Sequence, residues 1–99
     1  MRTQAVDRRP EILLEIRLQL RGQFQYIDLQ DAELLYIVWT GFSGWVCVVG
    51  HPEHGSYEWV ARHDADFDGQ SEARYEHSDS GYGVAAAALR DGLNKILDE

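Results

Sequence analysis

Leu34-Leu35-Tyr36-Ile37-Val38-Trp39-Thr40, then Gly41-Phe42-Ser43-Gly44, then Trp45-Val46-Cys47-Val48-Val49 is the stretch that decides the fold. β-Branched and aromatic residues dominate both runs, and such side chains suit a pleated surface. The four residues between them include two glycines, and glycine supplies the positive φ that hairpin turns need. The pattern predicts an antiparallel hairpin. Both runs are apolar at successive positions, the mark of strands that bury both faces.

Downstream of this hairpin, Gly50-His51-Pro52-Glu53-His54-Gly55 reads as a loop. Residues 56–63 alternate: Tyr57, Trp59 and Ala61 share one face, while Glu58, Val60 and Arg62 share the other. Residues 64–70 form a turn rich in Asp and Gly, and residues 71–77 a weaker, polar strand expected at a sheet edge. Ser78-Asp79-Ser80-Gly81-Tyr82-Gly83 then leads into a helix. Its stripe is Ala85, Ala88, Leu89, Gly92, Leu93, Ile96 and Leu97, and Gly92 with the alanines permits close approach to a sheet.

Upstream, residues 24–29 read as a short strand broken by Asp31-Ala32-Glu33. Residues 10–21 are ambiguous. Ile12, Leu14, Ile16, Leu18 and Leu20 alternate as a strand would. Composition favours a helix: Leu, Glu, Arg and Gln prevail, Pro10 suits the first helical position, Glu11 faces the positive dipole end, and Gly22 follows the end. Helix is the expectation. Residues 1–9 are expected to be a flexible arm, and 10–99 a single domain. The predicted class is α+β: an N-terminal helix, an antiparallel meander of three to five strands, and a C-terminal helix packed on one face of the sheet. The two-sided strands leave a question open. With both helices on one face, the other would be an apolar interface for a second copy or a partner; alternatively the N-terminal segment and residues 24–29 wrap it.

The chain has 99 residues, 44% apolar and 11% aromatic, enough for one core. Cys47 is the lone cysteine, which excludes an internal disulfide and fits a reducing compartment. No run is long enough to span a bilayer, and no apolar region follows Arg2, Arg8 and Arg9 as in a signal peptide, so a cytoplasmic setting is expected. Net charge is −8, unevenly placed: residues 1–21 carry +2 and residues 22–99 carry −10. Such a surface repels nucleic-acid phosphates and anionic lipid, and attracts a basic partner.

The sharpest local pattern is Asp64, Asp66 and Asp68 at alternate positions, Gly69, and Glu72 three further on. These four acids can surround a calcium ion with oxygen ligands. The first six positions resemble an EF-hand loop, but the twelfth, where that loop needs an acid, is Tyr75. The run is more similar to the calcium hairpin loops of β-propeller repeats. Cys47, His51 and His54, with His63 or His77, lack zinc-finger spacing. Ser43 with His51 and Glu53 lacks a nucleophile elbow. Gly81-Tyr82-Gly83 lacks the Lys-Ser/Thr end of a phosphate loop. No catalytic residue is expected.

Residues 57–96, with Trp59-Val60-Ala61-Arg62, a turn holding Asp68-Gly69, and His77-Ser78-Asp79-Ser80-Gly81-Tyr82-Gly83 before an alanine-rich helix, resemble the small YegP-like domains. That resemblance implies a strand–turn–strand–helix fold and no activity. The order helix, strands, helix is also similar to double-stranded RNA-binding domains. Those need a basic cluster at the start of the last helix, and no Lys or Arg precedes Arg90 there, so RNA binding is rejected.

The functional expectation is a non-enzymatic interaction protein that docks on a basic protein surface. Asp64, Asp66, Asp68, Glu72, Glu76 and Asp79 would stand in for phosphates, with Trp39, Tyr57 and Trp59 as aromatic anchors. In size and charge the chain is similar to toxin-immunity and phage anti-defence proteins, including anti-CRISPRs. The alternative is a calcium-binding structural module built on residues 64–72.

Overall fold

A computed structural model describes residues 8–20, 23–24, 27–40, 44–63 and 73–97. The elements are α1 (Arg9–Gln19), β1 (Glu33–Trp39), β2 (Trp45–His51), β3 (Ser56–His63), β4 (Arg74–His77) and α2 (Ala85–Leu97). The strands form one antiparallel sheet in chain order, β1-β2-β3-β4, so the protein is α+β. The ambiguous N-terminal stretch is helical over Arg9–Gln19, with Pro10 in the first turn, Glu11 beside the positive end and Arg17 in the last turn. The leucine alternation is spent differently: Ile12, Ile16 and Leu20 point inward, while Leu14 and Leu18 are 56% and 70% exposed.

The two helices cover opposite faces of the sheet. Ile12, Ile16 and Leu20 pack with Trp45, Cys47, Val49 and Val60, the alternate residues of one face. Ala85 and Ala88 of α2 pack with Val46, Val48, Trp59 and Ala61 on the other. Of the two arrangements the sequence leaves open, the structure has the second: the N-terminal segment covers the face opposite α2. The strands are apolar on both sides because both sides are covered, and β2 is buried from Trp45 to Gly50.

The strand expected over residues 24–29 is not formed by those described there, 24 and 27–29. Backbone groups from Asp28 to Ala32 bond in other ways. The Arg17 guanidinium donates to the carbonyls of Leu29 (3.1 Å) and Gln30 (2.9 Å), and Asp31 and Ala32 N–H close turns onto Asp28 and Leu29. Ile27, Leu29 and Ala32 still bury their side chains beside α1, so this segment wraps the second face as an irregular strap. Similarly, Tyr57 and Tyr82 exchange both backbone hydrogen bonds (2.9 and 2.8 Å), which ties the entry of α2 to β3. At Gly92 an added Cβ would lie 2.9 Å from the Trp59 ring and 3.0 Å from Val46, so only glycine lets α2 sit this close.

A polar knot joins α1 to β3 and β4. Glu15 Oε2 accepts from Arg62 Nη1 at 2.5 Å and from the Tyr75 hydroxyl. Burial, and then the Glu15 carboxylate, push the Tyr75 phenol from its ordinary value of 10.0 up to about 12. The folded value is the higher one, so the linked stability is whole below pH 10 and is lost as pH rises through about 12. Tyr75→Phe should therefore flatten the fall in melting temperature across that window. An unchanged slope would show that Tyr75 does not supply it.

Candidate interaction surface

A concave surface lies at one end of the sheet, where the turn after β2 faces the segment leading into β1. It is a cleft of about 580 Å³ lined by Asp28, Asp31, Glu33 and Glu53, with His51 and His54 among them. Two local structures build it. On one wall, Asp28 Oδ1 accepts from Gln30 N–H at 3.0 Å, an Asx-type turn that holds the strap. On the other, β2 and β3 are joined through residues 52–55, where Gly55 takes φ +61°. The walls are fastened together by the Asp28 N–H, which donates to His51 Nε2 at 3.2 Å. His51 and His54 stand edge to face at 6.0 Å. No Lys or Arg is among the described residues lining the cleft. Four carboxylates gathered in a concavity focus negative potential outward.

The residues singled out in the sequence scatter. Asp64, Asp66, Asp68 and Glu72, and with them the calcium-type loop, lie outside the described residues, as does Ser43. Glu76 is half-buried on β4 and pairs with His63 Nε2 at 3.4 Å. Asp79 is exposed beside a shallow hollow that Glu76, Trp59 and Lys95 also line. Trp39 is 44% exposed at the end of β1, with the Arg8 guanidinium 5.2 Å over its ring. Tyr57 is half-buried against the α2-side core. Trp59 is only 6% exposed and belongs to that core, so its indole supports α2 and offers no anchor to a partner. Trp39 is therefore not part of one aromatic cluster with Tyr57 and Trp59.

Among the described residues no group of three or more His, Cys, Asp or Glu is arranged to hold a metal ion. Cys47 is fully buried beneath α1, and burial, reinforced by Glu15, raises its thiol far above the ordinary value. It acts as a small core residue. No described helix is long and apolar enough to cross a membrane. Sequence reading missed the cleft because its acids come from two stretches about twenty residues apart, each unremarkable alone. The spaced pair Asp28 and Asp31 before β1, and Glu53 in a Gly-bounded turn, were the available signal.

Fold and surface together define a small α+β domain with an acidic cleft at one end of a four-stranded sheet. No family model matches the chain, and no curated protein or solved structure matches it at a significant level.

Proposed function

We propose that this protein is a non-enzymatic interaction module, of the inhibitor or immunity kind, that docks on the basic, nucleic-acid-binding surface of another protein in the cytoplasm. The observation supporting it is the cleft: Asp28, Asp31, Glu33 and Glu53 line one concavity, with no Lys or Arg among its described lining residues. Arg and Lys side chains that ordinarily grip phosphates are the natural occupants of such a site. The overall charge of −8 adds long-range attraction to a cationic partner and repulsion of nucleic acid itself. Exposed carboxylates of this kind act chiefly on the association rate and its salt dependence.

The test is capture from the native host with the wild-type chain, followed by binding measurements on the captured protein. Asp31→Lys with Glu53→Lys should weaken binding about tenfold or more, added salt should weaken the wild type, and nucleic acid should compete. Binding indifferent to charge reversal and to salt would sink this reading.

A further inference from the structure

We propose that the outer edge of β1 is a homodimer interface, where β1 of a second copy of this chain adds antiparallel and joins the two sheets. The reading does not rest on partner binding at the acidic cleft, with which it shares Glu33.

β1 is an edge strand, Glu-Leu-Leu-Tyr-Ile-Val-Trp, seven residues with neither Pro nor Lys. Its outer side has no strand partner among the described residues. A long apolar edge without such blocking residues is a template for another strand. The opposite edge, β4, is four residues long and polar, Arg-Tyr-Glu-His, so growth through β1 would stop at two copies.

The edge is also shaped to receive a strand. A groove of about 540 Å³ runs beside it, with Tyr36 and Val38 along β1, Arg8 and Arg9 at the start of α1, and Leu89 of α2. Tyr36 and Trp39 are 45% and 44% exposed there. A strand edge in a trough between two helices is the geometry of strand addition. The register with β2 shifts between Leu34 and Tyr36, and residues 36–39 pair without interruption.

Charge selects the occupant. Arg8 lies over Trp39 at one end of β1, and exposed Glu33 stands at the other. Antiparallel pairing about a twofold axis carries Glu33 of each copy toward Arg8 of its partner, twice over. Arg8 already meets Glu11 at 3.5 Å, but both side chains are mostly exposed, and such a pair is weak enough to share its cation. The groove is thus basic where the incoming β1 is acidic, the complement that a second copy supplies.

The experiment is sedimentation of the full chain over a concentration series, with circular dichroism to verify folding. The wild type should reach twice the chain mass. Tyr36→Lys, an exposed substitution outside the acidic cleft, should weaken dimerisation about tenfold or more. Arg8→Glu should weaken it too, and Arg8→Glu combined with Glu33→Arg should restore it. A wild type that stays monomeric at all concentrations overturns the proposal, as does a Tyr36→Lys chain that dimerises normally. A double exchange that fails to restore association overturns the antiparallel charge pairing.

Discussion

Replacing Trp45 by alanine is expected to cost about 3–5 kcal/mol of folding stability, the usual range for deleting a buried indole. Trp45 is 1% exposed, begins the return strand of the central hairpin, and sits between Ile12 and Ile16 of α1 and the ring of Tyr75, 6.3 Å away. Neighbours on three elements cannot all collapse into the space an indole leaves, so a cavity term adds to the lost transfer energy. A domain of this size holds roughly 5–15 kcal/mol in total, so one substitution removes a large share. Urea unfolding should show the midpoint falling with the slope unchanged. A loss below about 1 kcal/mol would mean that the site under α1 is loosely packed.

Gly50→Ala should be nearly as severe, at about 3 kcal/mol or more, for a different reason. A Cβ at Gly50 would lie 2.2 Å from the Ser56 carbonyl oxygen and 2.8 Å from the Tyr57 Cα. Both are backbone atoms of the paired strand, so no rotamer change relieves the clash and β2 and β3 must part. That end of the hairpin carries His51, Glu53 and His54. Gly50→Ala should therefore abolish the Asp28–His51 bond and loosen the acidic cleft along with the fold. Thermal melting reads the first effect, and binding of the captured partner at a temperature where the variant remains folded reads the second. A stable variant with wild-type binding would contradict the close approach at Gly50.

Much of the fold was legible. The central hairpin declared itself through β-branched and aromatic runs around two glycines, and α2 through its unbroken stripe of small and apolar residues. For α1, composition and its Pro10 start outweighed a leucine alternation that favoured a strand, and the stranded Leu14 and Leu18 are what that conflict left on the surface. The wrapping of the second face was harder to read. The Arg17 guanidinium takes the carbonyls of Leu29 and Gln30, which a strand there would use in pairing, and nothing local in the sequence announces that. Trp59 illustrates the same limit at the candidate site: alternation placed it correctly with Tyr57 on one face, but only the path of α2 decides that this face is covered. The acids that share a cavity, Asp28, Asp31, Glu33 and Glu53, meet through the turn after β2. Contiguity in sequence drew the reading instead to the acidic turn at residues 64–72, outside the described residues.

The Glu15 knot also has a temporal side. Its partners Arg62 and Tyr75 lie 47 and 60 positions further along the chain. The strand meander joins neighbours in sequence and closes short loops, whereas seating α1 closes the longest, and long loops are the slow ones to close. On a ribosome, α1 is made before β3 and β4 and must wait until they have emerged before its seat exists. Through that interval Trp45, Cys47 and Val49 lack their cover, and the newborn chain is at its stickiest.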